Sequence, residues 1–266
     1  MFLTRLLSPL LSLILSRASN ASPLGAHLPN LLSLFDYSGE WSKPYREAGW
    51  NVVQVDIKIP AWVECPDCDD YYCNWHNCHT SECDCPEIDD WERNPYAGSD
   101  IMHFPYKRFK KFHGVLIAVP CTDYSLSGAQ YWKAKDSDGR TEKSNKLVRK
   151  SLEIVEYFNP AFWALENPAG RINKCVPELG DPSYWFHPSD YGANYTKKSY
   201  LWGRFTPPMA LFGEGVGKPV PVDQNFIMKL GGKSEKTKEL RSVTPPGFAR
   251  AFYLSNNTAP NKACSG

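Results

Sequence analysis

The sequence predicts an α/β protein built on a doubly wound, mostly parallel β-sheet. Short apolar runs alternate with helical stretches, a glycine turn joins the first run to the first helix, and polar side chains follow the apolar runs. Ligands of such sheets bind beyond the carboxyl ends of the strands. We therefore expect a functional site among the polar residues that follow the predicted strands.

The predicted elements come in the order of a βαβ unit. Residues 31–35 form a short apolar run, residues 43–48 a helical stretch that closes at Gly49, and residues 52–55 a second apolar run. Strand, helix and strand within so short a span indicate parallel pairing of the two strands. Further strands are expected at 114–119, at 162–165 and near Ile101, with a helix at 141–158.

Composition and charge suit one globular domain. The chain has 266 residues, of which 42% are hydrophobic and 22% charged. The net charge is only +1, but residues 61–100 carry eleven acidic side chains against Arg93 alone, which leaves +11 on the remainder. A basic remainder suits a polyanionic partner, although a solvated charged face explains it almost as well.

The first 30 residues are apolar, Ser-rich and free of acidic side chains. Their leucine-rich run, residues 6–15, is too short for a membrane span and contains Pro9. A secretory signal, an organellar transit peptide and an unrelated upstream stretch are all compatible with this composition. The folded domain is expected at residues 31–255, followed by a tail at 256–266.

Three residues near the predicted strand ends suggest a nucleotide-like cofactor. Gly39 would let the backbone approach a ligand, Asp56 is placed to bind ribose hydroxyls, and Asp100 precedes the strand expected at Ile101. A complete GxGxxG pattern is missing, which argues against a conventional NAD or FAD site. A single strand-end aspartate is as often a helix cap, so only the ordered set indicates an adenosine-containing cofactor.

A thiol and a carboxyl group follow two successive predicted strands. Cys121 comes after the run at 114–119, and Glu166, Asn167 and Pro168 come after the run at 162–165. A cysteine nucleophile beside an acid can attack an electron-poor ring carbon while the acid protonates the ring. A buried structural cysteine and a capped turn are the ordinary alternatives for each motif alone; their joint occurrence favours the chemical interpretation.

Taken in order, these motifs resemble those of the DNA cytosine-5 methyltransferases, especially the compact phage-type members. The resemblance covers about residues 31–255. It implies a sheet of the S-adenosylmethionine-dependent methyltransferase (Rossmann-like) type, and methyl transfer to C5 of a cytosine flipped out of DNA. The matching segments are 34–39, 54–56, 99–101, 120–121, 166–168, 190–192 with 197–203, and 241–249.

The resemblance also implies roles for individual residues. Cys121 would add to C6 of the base, Glu166 would protonate N3, Asn167 would orient that acid, and Lys197 or Lys198 would contact the base or a phosphate. The implied cofactor-binding residues are Phe35, Asp36, Tyr37, Gly39, Asp56, Ile57, Asp100, Ile101 and Pro120. The expected partner is DNA, for a monomer in the cytoplasm of a bacterium or phage-infected cell, with no membrane association.

The sequence departs from the family pattern in three places. Tyr37, Glu40 and Trp41 stand in the glycine loop where small residues are commoner, and lysines stand in the later basic motif where arginines are usual. Lysine does not reproduce the bidentate fork of arginine. Residues 206–240 are a short target-recognition region, which predicts relaxed or very short site specificity.

A cysteine-rich segment at residues 61–98 lies outside the family pattern. Its Cys-x2-Cys start and the close spacing of further Cys and His residues predict a structural zinc site, with disulfides as the alternative in a secreted protein. The predicted ligands are Cys65, Cys68, Cys73, Cys78, Cys83 and Cys85.

Basic stretches on both sides of Cys121 are candidates for a DNA surface, with a solvated helix face as the alternative. Residues 130–140 are expected to form a mobile catalytic loop with Gly128 and Gly139 as hinges. The cations are residues 107–111 together with Lys133, Lys135, Arg140, Lys143, Lys146, Arg149 and Lys150. An RNA cytosine-5 methyltransferase and a catalytically idle nucleic-acid-binding relative are the two alternative functions.

Overall fold

Six strands form the main sheet of the computed structural model, which describes residues 28–59, 100–210 and 241–257 and the backbone of three further short strands. In chain order the strands are β1 (Asn30–Leu34), β2 (Asn51–Val55), β3 (Trp62–Glu64), β4 (Tyr71–Cys73), β5 (Cys78–His79), β6 (Gly114–Ile117), β7 (Phe162–Pro168), β8 (Tyr184–Phe186) and β9 (Ser199–Arg204). The helices are α1 (Lys43–Glu47), α2 (Trp132–Ser137), α3 (Arg140–Phe158), α4 (Ile172–Cys175) and α5 (Pro246–Ser255).

The main sheet has the order β2-β1-β6-β7-β9-β8. Strands β2, β1, β6 and β7 are parallel, and β9 runs antiparallel to both of its neighbours, β7 and β8. The chain leaves β1 for β2 on one side and later returns to β6 on the other side. This reversal of strand order opens a crevice at the carboxyl ends of β1 and β6, the usual ligand position in such sheets.

Helices cover both faces of the sheet, which confirms the predicted doubly wound α/β architecture. Alternate residues of each strand point to opposite faces, so the apolar runs divide between two buried clusters. Leu31 and Leu116 pack towards α1 and α5, whereas Leu32 and Val115 pack towards α3. Burial on both faces explains why these strands read as continuous apolar runs.

The boundaries of β1, α1, β2 and α3 agree closely with the sequence predictions. The strand expected at Ile101 was wrong: this residue lies in a turn, where the backbone N–H of Met102 donates to the Asp100 carboxylate at 3.0 Å and that of His103 donates to the Asp100 carbonyl at 2.9 Å. Strand β7 extends three residues beyond its predicted end because β9 pairs with residues that β6 does not reach.

Most of the segment 130–140 is helical, so the predicted loop is wrong, whereas movement of this segment stays a prediction. Its residues complete a 3-10 helix, Leu126–Tyr131, and form α2. Side chains from α2 bind the loop that carries Cys121 and the start of α4, which explains why this segment packs against the domain. In the described part of the chain, no helix has both the length and the apolar character needed to cross a membrane.

Candidate active site

Cys121 lies at the carboxyl edge of the sheet, in a tight turn after β6. It begins a 3-10 helix, Cys121–Asp123, and its carbonyl accepts hydrogen bonds from the backbone N–H groups of Tyr124 and Ser125 at 3.0 and 2.9 Å. The side chain is half-buried. The turn therefore holds the thiol at the edge where a ligand of a parallel sheet is expected.

Glu166 and Asn167 lie on the neighbouring strand, β7, and point to opposite faces. Glu166 pairs in register with Leu201 of β9 on the side of α5, whereas Asn167 pairs with Tyr200 on the side of α3. The Asn167 amide nitrogen donates a 3.1 Å hydrogen bond to the carbonyl of Val119. Asn167 was predicted to orient Glu166, but its hydrogen bond goes instead to the loop that carries Cys121.

Lys197 and Lys198, which the sequence did not distinguish, have different surroundings. Lys197 interacts electrostatically with Glu166 and Cys121, and its ammonium donates to the carbonyl of Arg241 at 3.2 Å. The Lys198 ammonium instead lies 4.6 Å from the ring centre of Trp185 and 5.4 Å from that of Tyr200. Only Lys197 therefore joins the thiol and the carboxyl group.

The charges of this group act on one another. Burial raises the pKa of the Cys121 thiol, the ammonium of Lys197 lowers it, Glu166 raises it, and Lys135 lowers it more weakly. Burial works to lower the pKa of Lys197, but Glu166, Cys121 and Tyr195 together outweigh burial and raise it. The net effect is that the pKa values of both the Cys121 thiol and the Lys197 ammonium lie above their ordinary values.

A small recess adjoins Glu166 and Lys197. Its walls come from β8, β9 and the segment before α5, which the sequence had singled out as the closing motif. Tyr195 was missed by the sequence analysis; the alternation of Tyr195, Lys197 and Ser199 was the signal that could have found it. The lining residues are Glu166, Phe186, Pro188, Tyr195, Lys197, Ser199, Ser242, Val243, Thr244 and Pro245.

The turn after β1, predicted to bind a cofactor, has an unusual backbone. Phe35 has a φ of 61°, a left-handed conformation that costs a non-glycine residue about 1–3 kcal/mol. Gly39 has a φ of 68°, and a Cβ atom there would lie 3.1 Å from the Gln54 side-chain nitrogen. Strain of this kind persists where surrounding contacts enforce it and is common at ligand sites.

Asp36 is the main contact that enforces this turn. Its Oδ2 atom accepts hydrogen bonds from the hydroxyls of Ser33 at 2.9 Å and Ser42 at 2.8 Å, and from the backbone N–H of Ser42 at 3.1 Å. Burial raises the pKa of its carboxyl group. The hydrogen bonds to Asp36 therefore stabilise the conformation of this turn.

Asp56 and Tyr37 bring the ends of β1 and β2 together. The Asp56 carboxylate accepts hydrogen bonds from the backbone N–H of Lys58, at 2.9 Å, and from that of Tyr37. Burial raises the pKa of Asp56. The Tyr37 ring and the Ile57 side chain are exposed beside it, so a carboxylate and two apolar surfaces lie at one edge of the sheet.

The remaining predicted cofactor residues have three different environments. Ile101 is almost fully buried and packs in the same core cluster as Leu34 and Val55. Asp100 accepts the Met102 bond of its turn and lies 3.3 Å from His103. Pro120 is exposed immediately before Cys121.

The predicted zinc ligands lie outside the described residues, apart from the backbone of Cys73 and Cys78. These two residues pair in register between β4 and β5. Within the part of the chain that the structure describes, no group of three His, Cys, Asp or Glu side chains could hold a metal ion. Zinc binding by the cysteine-rich segment stays a prediction.

The basic stretch after Cys121 is not a uniform phosphate-binding surface. Lys135, one of the predicted DNA-contacting cations, is buried against the Cys121 loop. Three others are paired with carboxylates of α3, of the turn before it, or of the 3-10 helix after α4. These pairs are Arg140 with Asp138, Arg149 with Glu142 and Glu178, and Lys150 with Glu153.

Comparisons with known proteins add little to this description. No family model matches the sequence, and no curated protein matches it. A protein described as a DNA modification methyltransferase encoded within an E. coli prophage aligns with a TM-score of 0.34 and 16% identity over 76% of this chain. The Entamoeba histolytica methyltransferase EhMeth aligns with a TM-score of 0.39 and 13% identity over 79% of it.

The chain spans 54% and 61% of the lengths of those two proteins. Both TM-scores are below 0.5, so neither alignment identifies the function of this chain.

Proposed function

We propose that this protein is a DNA cytosine-5 methyltransferase that uses S-adenosylmethionine and forms a covalent bond between Cys121 and C6 of the target base. The observation that carries the proposal is the grouping of Cys121, Glu166 and Lys197 at the adjoining ends of β6, β7 and β9, where their charges interact. A thiol, a carboxyl group and a cation are the groups that this reaction needs around a pyrimidine ring.

Cys121 supplies the nucleophile. As the base binds, the Cys121 thiol releases its proton to solvent and Glu166 takes one up. The sulfur then adds to C6 while Glu166 delivers its proton to N3, and the electron pair of the C5–C6 double bond becomes available at C5. C5 would then take the methyl group that S-adenosylmethionine supplies, as the bond between that methyl group and its sulfonium sulfur breaks. Finally the C5 proton leaves to solvent, the bond between the Cys121 sulfur and C6 breaks, and the N3 proton returns to Glu166.

Glu166 links base binding to thiol activation. Its negative charge raises the pKa of Cys121 in the resting protein. When the carboxyl group carries the proton that it shares with N3, that charge is removed and the nearby ammonium of Lys197 acts unopposed. The thiolate is therefore favoured once the base is in place, which limits side reactions of the free protein.

The edge formed by β1 and β2 fits an adenosine-containing cofactor. Asp56 offers carboxylate oxygens for ribose hydroxyls, the exposed Tyr37 and Ile57 offer apolar surface for adenine, and the turn at Gly39 has no side chain to obstruct a ligand. When bound there, S-adenosylmethionine would supply an electrophilic methyl group on sulfur.

A nucleic-acid substrate is supported by an exposed aromatic ring on β8 and a cation that precedes β9. Trp185 is 52% exposed, and the Lys198 ammonium lies over its ring. Exposed aromatic rings and cations together suit stacking with unpaired bases and contact with phosphate. Such a substrate must present its cytosine out of the helix, because both faces of the ring take part in the reaction.

Covalent trapping tests this proposal. Duplexes of varied sequence that contain 5-fluorocytosine are incubated with the protein, with and without S-adenosylmethionine, because fluorine at C5 blocks the final elimination. We expect a denaturant-resistant adduct that requires the cofactor. Cys121→Ala should abolish the adduct, whereas Cys175→Ala, a matched change at another half-buried cysteine, should retain it.

Other outcomes distinguish the alternatives. An adduct on the corresponding RNA but not on DNA would identify an RNA enzyme. Absence of an adduct on both polymers, with a folded protein that still binds nucleic acid, would indicate an idle binding protein and would contradict the proposal.

A further inference from the structure

A buried lysine of α2 binds the loop that carries Cys121. Lys135 is 6% exposed, its ammonium donates to the carbonyl of Thr122, and it lies 3.2 Å from the Oδ1 atom of Asp123. Thr122 and Asp123 directly follow Cys121. The cation therefore contacts both residues that fix the direction of the thiol-bearing turn.

Asp123 has a second partner that keeps its carboxylate in place. The hydroxyl of Ser144 on α3 donates to its Oδ2 atom at 2.6 Å. The carboxylate is nearly fully buried, and a buried carboxylate needs such partners to stay charged. Lys135, Asp123 and Ser144 thus join α2, the Cys121 turn and α3.

Arg171 also links α2 to the same turn. Its guanidinium binds Asp136 with two hydrogen bonds of 2.8 Å, and its Nε atom donates to the Asp123 carbonyl at 3.1 Å. Its Cζ atom lies 4.7 Å from the ring centre of Trp132. A bidentate pair of this kind holds a defined orientation. Helix α2 is therefore docked on the turn by residues on both sides of Lys135.

We infer that Lys135 is a positioning residue for Cys121: its buried ammonium holds the Thr122–Asp123 turn and places a fixed positive charge behind the thiol. The inference rests on the proposed function only in naming Cys121 as the nucleophile. A lysine that merely bound phosphate would lie on the surface, as Lys133 of the same helix does.

The charges that face the thiol come from three elements. Glu166 on β7 disfavours the thiolate, and Lys197 before β9 and Lys135 on α2 favour it. Lys135 differs from Lys197 in lying outside the recess at Glu166. Its charge therefore persists unchanged when a substrate enters, whereas Lys197 and Glu166 are free to interact with the substrate.

The test measures thiol reactivity without DNA or cofactor. The rate at which iodoacetamide alkylates Cys121 is followed by peptide mass spectrometry as a function of pH, in the folded full-length protein. The variants are Lys135→Met, Lys135→Gln, Lys135→Arg and, as the matched surface control, Lys133→Met. The glutamine variant keeps an N–H donor for Thr122 and removes the charge.

We expect the Met and Gln variants to raise the apparent pKa of Cys121 by about half a unit, less than loss of Lys197 would, which slows alkylation at neutral pH roughly threefold. The Arg variant should stay near the wild-type profile, and Lys133→Met should match it. If Lys135→Met does not fold, the Gln and Arg variants decide the outcome. A Cys121 profile that is unchanged in the charge-neutral variants would overturn the inference.

This readout separates the two proposals. A shifted Cys121 profile together with failure of covalent trapping would retain the role of Lys135 and reject the methyltransferase. Normal trapping together with an unshifted Cys121 profile would retain the methyltransferase and reject the role of Lys135.

Discussion

The side-chain amide of Asn167 donates a hydrogen bond of 3.1 Å to the backbone carbonyl of Val119, 48 residues earlier in the chain. Val119 lies two residues before Cys121, and Asn167 follows Glu166 directly. One bond therefore ties the turn of the proposed nucleophile to the strand of the proposed acid. Asn167 is fully buried, so water cannot easily replace it.

Removal of this bond should affect both stability and catalysis. We expect Asn167→Ala to lower the free energy of unfolding by about 1–3 kcal/mol, because the Val119 carbonyl loses a buried partner. Turnover should fall further than the loss of folded protein explains. Urea unfolding followed by tryptophan fluorescence measures the first effect. Asn51→Ala, a change at an exposed asparagine, is the control, and equal unfolding curves for the two variants would contradict the role of Asn167.

Glu166→Gln should separate thiol reactivity from methyl transfer. Loss of the negative charge removes an effect that raises the pKa of Cys121, so the pKa should fall and alkylation at neutral pH should accelerate. Methyl transfer should nevertheless be lost, because the amide cannot deliver a proton to N3. The paired measurement is Cys121 alkylation against pH and transfer of a radiolabelled methyl group to DNA. Slower alkylation than in the wild type would refute the electrostatic argument.

Lys197→Met should have the opposite effect on the thiol. The ammonium of Lys197 lowers the pKa of Cys121 against the effect of burial, so its removal should raise that pKa and slow alkylation. Lys198→Met is the neighbouring control, because its ammonium lies over aromatic rings. If both lysine variants shift the profile equally, the distinction between them is wrong.

Gly170 is expected to tolerate no side chain. A Cβ atom there would lie 2.0 Å from the carbonyl oxygen of Tyr124, where the turn after β7 meets the turn of Cys121. Gly170→Ala should lower stability by about 1–3 kcal/mol, since backbone must move to admit the methyl group. Gly128→Ala adds the same group 3.6 Å from the Thr122 carbonyl, an ordinary contact. The comparison is made by thermal unfolding, and similar melting temperatures would argue against this close approach.

Asp56→Ala should weaken binding of S-adenosylmethionine roughly tenfold or more, because a charged hydrogen bond contributes about 1.5–3 kcal/mol. Burial raises the pKa of Asp56, so wild-type affinity should decline on acidification at a higher pH than an exposed aspartate would cause. Isothermal titration calorimetry over a pH series measures both effects. Asp181→Ala, at an exposed carboxylate, should leave affinity unchanged.

Local patterns were sufficient for most of the sheet. The apolar runs at β1, β2, β6 and β7 identify strands because each is buried on both faces, and their parallel pairing follows from the intervening helices. The strand predicted near Ile101 was wrong because one buried apolar residue beside an aspartate occurs equally well in a turn. The end of β7 was missed because its last residues pair only with β9, which follows later in the chain.

The sequence by itself determined the α/β class and the positions along the chain of β1, β2, β6 and β7, and it placed Cys121 and Glu166 at the ends of two successive strands. These properties depend on periodicity and on residues close together in the chain. Three features were decided only by the tertiary structure. Lys197, and not Lys198, interacts electrostatically with the thiol; Asn167 donates a hydrogen bond to Val119; and Lys135 is buried. Each of these features depends on contacts between distant segments. Packing sets the geometry of those contacts, and the local sequence pattern does not encode it.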